Sequence, residues 1–413
     1  MPASTLDTKP PMPNNAIIGQ SGGPTSVINQ SLVGVIQAAK QHGHIDTLYG
    51  ARHGVRGILE GNLVDLSDVP DELAERIAAT PSSALGSTRD KPDEEYCRNL
   101  FGKLKEKDIK YFFYIGGNDS ADTARIVNQV AKDDGYELHV FHVPKTIDND
   151  LRVHDHTPGF GSAAKFVACA MMGDDFDNRS LPGIKIDVIM GRHAGFLTAA
   201  SALARVGDNG GPHLIFVPER PVSEDDFVAA VENVYSKHGR CLVAVSEGIT
   251  STDGKTYAEH MADDLEKDAH GNIQLSGSGA LGDYLSGLVT KKLQTPGSKK
   301  LRVRADTFGY LQRSFAGFVS EVDAAEARLV GKRAVEFSAD TSNEQGSVVM
   351  TRKSGGDYAI DTHLEPLENV ARLTKHMADE YLTDDHDVTP AWLDYVRPLV
   401  GKLPVVGTFD ELR

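Results

Sequence analysis

Asp148 and Asp150 stand two residues apart in the heptapeptide Pro144-Lys145-Thr146-Ile147-Asp148-Asn149-Asp150, with a lysine ammonium just upstream. A carboxylate can take a proton or hold a metal, and a lysine can neutralise phosphate charge. The apolar stretch 137–143 leads straight into this loop. Open α/β sheets place ligands at the carboxyl ends of their strands, so a strand running into a Lys/Asp-rich loop reads as a phosphoryl-transfer centre. One aspartate would accept the proton of an attacking hydroxyl while Lys145 neutralises the transferring group. The plainer reading is a solvated turn, because Asn and Asp are common turn formers. The preceding strand and the enclosed lysine weigh against it.

Further loops have the same character. Gly22 and Gly23 lie in a turn between an apolar strand and a helix, where backbone N–H groups could meet a phosphate. Pro24 suits the first position of that helix. Gly116-Gly117-Asn118-Asp119-Ser120 repeats the arrangement, and Asp119 could bind magnesium or cap the next helix. The small-residue loop 81–89 ends in Arg89. Met190-Gly191-Arg192-His193-Ala194-Gly195 and Ser246-Glu247-Gly248 each end a strand. Arg304, Tyr310 and Arg313 fall on a later segment, where surface ion pairing is the bland alternative for the arginines.

These loops need a frame. Apolar runs at 16–19, 111–115, 138–143, 184–189, 213–217 and 241–245 read as strands. Helical patterns at 27–39, 120–131, 163–172, 194–204 and 225–238 alternate with them. That rhythm predicts parallel sheets covered by helices on both faces. Residues 250–279 are polar and Gly/Asp-rich, as in a long functional loop. A helix over 281–293, a strand over 301–304 and an amphipathic helix over 324–337 follow. Residues 1–13 read as a flexible tail.

At 413 residues, two domains or one large composite fold are expected. The net charge of −16 argues against a nucleic-acid partner, and it means that a phosphate site must gather its own cations. Three widely spaced cysteines, with no CxxC, argue against a disulfide framework or zinc site and fit a reducing cytoplasm. No apolar run has the length of a signal peptide or a membrane span, so no membrane is expected.

Taken in order, SGG at 21–23, LGSTR at 85–89, GGNDS at 116–120, TIDND at 146–150, MGRHAG at 190–195, SEG at 246–248 and the 304–313 segment resemble the phosphofructokinase family over roughly residues 15–335. The resemblance implies an α/β fold of two Rossmann-like, three-layer αβα domains with the active site in the cleft between them. It implies a pyrophosphate-binding domain over 14–158, completed by about 313–388. The fructose 6-phosphate-binding domain would be 159–312, completed by about 389–413. ATP-using members usually carry glycine where this chain has Asp119 and Lys145, and that pair resembles the pyrophosphate-dependent branch. Tyr310, where bacterial ATP-dependent members often have histidine, leans the same way.

By the same resemblance Asp148 is the base for the 1-hydroxyl, assisted by Asp150. Gly22, Arg89, Asp119 and Lys145 would bind pyrophosphate. Thr146, Met190, Gly191, Arg192, Glu247, Arg304, Tyr310 and Arg313 would bind fructose 6-phosphate. Mg2+ would be the cofactor, on Asp119, because Asn118 replaces the usual carboxylate. Pro24 and Gln312-Arg313-Ser314-Phe315 also depart from the family pattern. The expected partner is a second copy, in a homodimer or homotetramer, with sugar-phosphate contacts crossing the subunit interface. The alternatives are an ATP-dependent enzyme and a catalytically silent regulatory subunit. A dinucleotide-binding oxidoreductase is disfavoured by the absence of GxGxxG.

Overall fold

The computed structural model describes residues 14–261 and 277–409. The expected tail over 1–13, the middle of the polar 250–279 stretch and residues 410–413 lie outside the described residues. In strand β1 (Asn15–Gln20) every residue is buried. Ile17 and Ile18 enter different core clusters on opposite faces, as the two-residue period of a strand requires. A strand apolar on both faces belongs at the centre of a sheet, where helices cover each side.

The elements that follow are α1 (Ile28–His42), β2 (Leu48–Ala51), α2 (Gly54–Glu60), β3 (Leu63–Asp65), α3 (Asp71–Ala79), α4 (Glu94–Glu106), β4 (Ile109–Gly116), α5 (Asn118–Asp133) and β5 (His139–Pro144). Next come α6 (Phe160–Ser180), β6 (Ile184–Ile189), α7 (Phe196–Ala199), β7 (Leu214–Phe216), α8 (Glu224–His238), β8 (Cys241–Ser246), α9 (Tyr257–His260), α10 (Ala280–Leu293), β9 (Val303–Thr307) and α11 (Leu311–Ser314). The chain closes with α12 (Glu321–Ser338), β10 (Gln345–Arg352), β11 (Ile360–Glu365) and α13 (Pro390–Val400).

Two sheets result. The first has seven strands in the order β11-β10-β5-β4-β1-β2-β3, and the second has four in the order β7-β8-β6-β9. The second is wholly parallel. The first is not, because β3 and β11 pair antiparallel at its two edges. Helices α1 and α12 share one core with the first sheet, while α2, α4 and α5 share the core on its other face. The second sheet packs α8 and α10 on one side and α6, α7 and α13 on the other.

Three local expectations shift. The strand expected over 301–304 is β9, because Val303 is the residue that pairs with Ile184 at the start of β6. The helix expected from Ala194 starts at Phe196 and tightens into a 3-10 turn over Ala200–Ala204. The Gly195 N–H is instead taken by the Glu219 carboxylate at 3.1 Å. Within the polar stretch, Thr256 and Glu259 form a capping box that starts α9.

The C-terminal segment ties the two halves together. Asp323 of α12 accepts from the backbone N–H of Gly159 and of Ser162, each at 2.8 Å, and so caps α6. Trp392 of α13 is fully buried and donates its indole N–H to Ala199 at 2.9 Å.

Candidate active site

The carboxyl ends of β1, β4 and β5 from the first sheet, and of β6, β8 and β9 from the second, lead into one cleft of about 480 Å³. Gly22 sits at φ +73°, and its N–H donates to Thr88 at 2.9 Å. A Cβ there would lie 3.2 Å from Lys145 Nζ, and one on Gly23 would lie 2.8 Å from Arg313 Nη1. Gly22 thus takes the left-handed conformation that favours glycine, and two cations approach the backbone of this loop. Pro24 is not at the first helical position. Helix α1 starts at Ile28 and its N-cap is Val27, so the cleft-lining backbone at 22–24 belongs to the loop and not to a helix end.

The 81–89 loop departs from the expected strand-to-helix pattern by following a helix, α3. Buried side chains of the first βα unit hold it. Asn29 donates to the carbonyls of Thr80 and Ser82 at 2.8 and 2.7 Å and accepts from Ala84 N. Gln20 accepts from Leu85 N. This network sets Arg89 on the cleft wall.

Helix α5 begins at Asn118 with Gly117 as its N-cap and no side-chain cap bond, so Asp119 does not cap it. Asp119 lies exposed at the cleft rim, 3.5 Å from Lys91 Nζ. Asn118 Nδ2 makes a long contact of 3.5 Å with Asp150. Its buried Oδ1 has no hydrogen-bond partner among the described residues.

The heptapeptide leaves β5, all six of whose residues are buried. Lys145 is 3% exposed, and its ammonium donates to the Gly23 carbonyl at 2.7 Å. The Thr146 hydroxyl accepts from Asp148 N at 3.1 Å, which turns the chain so that Asp148 and Asp150 both line the cleft. Burial, reinforced by Asp150 and Glu247, pushes the Asp148 carboxyl up to about 7. Burial also raises Asp150. Lys145 is lowered to about 8, first by burial and then by Arg313. Arg313 stacks its guanidinium 4.6 Å from the Tyr310 ring centroid.

Met190, Arg192, Glu247, Tyr310 and Arg313 line the opposite wall. Gly191 shapes this wall without lining it. Its φ is +138°, and its carbonyl accepts from Ser246 Oγ at 2.5 Å. Arg304 is not brought into the cleft of its own chain. It is exposed on β9, an edge strand, and Nη1 bonds the Val303 carbonyl at 2.8 Å. Sequence reasoning missed Lys91, His193, Arg372 and Thr374 as cleft residues. His193 was visible inside MGRHAG; the other three carried no motif. Arg89, Lys91, Lys145, Arg192, Arg313 and Arg372 gather in the cleft of an otherwise acidic chain, as an anion site requires. A second acidic group, Asp174, Asp187 and Asp306, carries its own cation in Lys185 and does not line the cleft.

Residues 15–338 match the family model described as phosphofructokinase. The chain belongs to the phosphofructokinase family. A pyrophosphate–fructose 6-phosphate 1-phosphotransferase of Rhodospirillum rubrum is 52% identical over 387 residues, covering 94% of each chain. One of Halomonas elongata is 38% identical, covering 94% of this chain and 92% of its own. The crystal structure of a pyrophosphate-dependent phosphofructokinase from Nitrosospira multiformis superposes with a TM-score of 0.80 at 33% identity, covering 96% of this chain and 94% of its own. The chain thus shares its α/β fold with solved members of the family.

Proposed function

We propose that this phosphofructokinase transfers a phosphoryl group reversibly between pyrophosphate and the 1-hydroxyl of fructose 6-phosphate, giving fructose 1,6-bisphosphate and orthophosphate. The observation that carries the reading is Lys145. Its buried ammonium is folded onto the Gly23 carbonyl in the same cleft as Asp148. A cation fixed there suits a compact diphosphate, and Asp119 at the rim would repel the α-phosphate of a nucleotide.

In the forward direction the sugar hydroxyl oxygen attacks one phosphorus of pyrophosphate. The bridging P–O bond breaks and orthophosphate leaves. Asp148, ionised near neutrality, takes the hydroxyl proton. Asp150 assists from the same loop, by charge or by hydrogen bonding. Lys145, Arg89 and the Gly22 loop hold pyrophosphate, while Thr146, Met190, Arg192, Glu247, Tyr310 and Arg313 hold the sugar phosphate. Pyrophosphate is thereby assigned to loops of the half built on the first sheet, and the sugar phosphate, Thr146 apart, to loops that follow strands of the second. Most of the acceleration then comes from positioning and charge neutralisation.

The residues present fit a magnesium ion. Asp119 supplies a carboxylate, and the unpartnered Asn118 Oδ1 could accept from a metal-bound water. When bound, Mg2+ would neutralise phosphate oxygens. We assign the exposed Arg304 to the cleft of a second copy, which calls for a homodimer or homotetramer; light scattering tests this. Three free cysteines suit a cytoplasmic enzyme. The central experiment compares pyrophosphate with ATP as donor to fructose 6-phosphate in the presence of magnesium. Turnover with pyrophosphate at least tenfold above that with ATP is expected, and equal rates would overturn the donor assignment.

A further inference from the structure

Residues 371–377 carry no sequence motif, yet they bond to both walls of the cleft. Arg372 lines it and donates to Asp122 of α5 at 2.7 Å. Thr374 also lines it and forms an antiparallel bridge with Leu151. The Lys375 N–H donates to the Asp150 carbonyl at 2.7 Å. Its ammonium faces the Asp155 carbonyl at 2.8 Å, the His154 carbonyl at 3.1 Å and, at 3.5 Å, Asn149 Oδ1. The Phe196 ring centroid lies 5.0 Å from the same ammonium. On the other side His376 Nδ1 meets the His193 carbonyl at 2.9 Å. Met377 N donates to Glu219, the carboxylate that also holds Gly195 N.

The catalytic loop needs outside support. Asn149 and Val153 are non-glycine residues at φ +57° and +71°. Such conformations cost roughly 1 kcal/mol or more each and persist only where surrounding contacts hold them. Three donors on one ammonium match three acceptors spread over residues 149–155, which a planar guanidinium fork could not satisfy equally.

We propose that Lys375 is a positioning residue for phosphoryl transfer, holding the loop that carries Asp148 and Asp150 in register with the 190–195 wall. The inference rests on the phosphotransferase reading. Lys375 itself does not line the cleft, so it acts through the loop's backbone. A shift of about 1 Å in a reacting group can cost on the order of 10²-fold in rate.

The test is steady-state kinetics on Lys375→Met in the full chain, with calorimetric binding of fructose 6-phosphate alone. The expected result is a loss of kcat on the order of 10²-fold, with KM for both substrates and the sugar affinity within about threefold of the parent. Lys375→Gln, which keeps an N–H donor on a side chain one bond shorter, should recover part of kcat, and it carries the same test if the Met variant does not fold. A kcat within threefold of the parent, or a loss matched by the fraction of unfolded protein, overturns the positioning role. A parent chain that transfers nothing from pyrophosphate refutes the functional reading instead.

Discussion

Lys145 and Asp119 are the two residues assigned to donor choice, and the molecule holds them in opposite ways. Lys145 is 3% exposed, rises from a buried strand and is fixed by the Gly23 carbonyl. The Asp119 side chain is 67% exposed, and its partner Lys91 is 54% exposed. An exposed pair contributes about 0–1 kcal/mol and rearranges freely. A buried ammonium that loses its place leaves unpaired acceptors behind. On the proposed reading, donor choice would combine a rigid attractive element with a soft repulsive one, and the soft one would be the easier to change.

The largest break removes the chemistry that both serve. Asp148→Asn should lower kcat by about 10³-fold while fructose 6-phosphate still binds, as checked by stopped assays and calorimetry. Because burial and Asp150 disfavour its charge, the same variant should melt no lower than the parent at pH 8. An unchanged kcat would remove Asp148 as the base. Lys145→Met should cost about 10²-fold in kcat/KM for pyrophosphate, with a smaller change in KM for the sugar.

The pH profile reads the same pair. Asp148 must be ionised, so kcat/KM should fall about tenfold per unit below about 7. Lys145 must keep its proton, so kcat/KM should fall again above about 8. The shifts also give signs for stability. A carboxyl raised in the folded state makes stability decline as pH rises from its ordinary value of 3.8 towards 7. A lysine lowered in the folded state makes stability recover between about 8 and its ordinary 10.5. A flat activity profile from pH 6 to 9 would contradict both assignments.

The soft side should respond less. Asp119→Gly should change pyrophosphate turnover by only a few fold, and paired with Lys145→Gly it should raise the ratio of ATP to pyrophosphate use. Lys91→Ala should stay within about twofold by the same assay. A tenfold loss there would show that the rim is held more firmly than its exposure indicates.

Much of the site was legible because its residues sit in short motifs directly after apolar strands. The end of β5 and TIDND, of β4 and GGNDS, and of β6 and MGRHAG are each one local unit. Strong patterns such as 184–189 and 225–238 also returned at or near their read positions as β6 and α8. The short strand β2 and the edge strands β3 and β11 carried weaker signals, since their burial depends on neighbours brought from far along the chain. Helix α4 went unread although its N-cap Asp93 accepts from Tyr96 N in a standard capping bond.

The sequence by itself singled out the candidate chemical groups, Asp148, Asp150 and Lys145 in one loop and Asp119 in another, because a βα loop carries its side chains wherever its strand ends. Only the tertiary structure decided which distant segments complete the cleft. Arg89 is set by Gln20 and Asn29. Arg304 stays outside because it stands near the start of β9, paired with Lys185, while the cleft lies at the carboxyl ends of the strands. Arg372 and Thr374 enter because Lys375 finds carbonyls more than 200 residues away. Such pairings leave no periodic trace, since a hydrogen bond between remote loops depends on the packing of both sheets and not on local spacing.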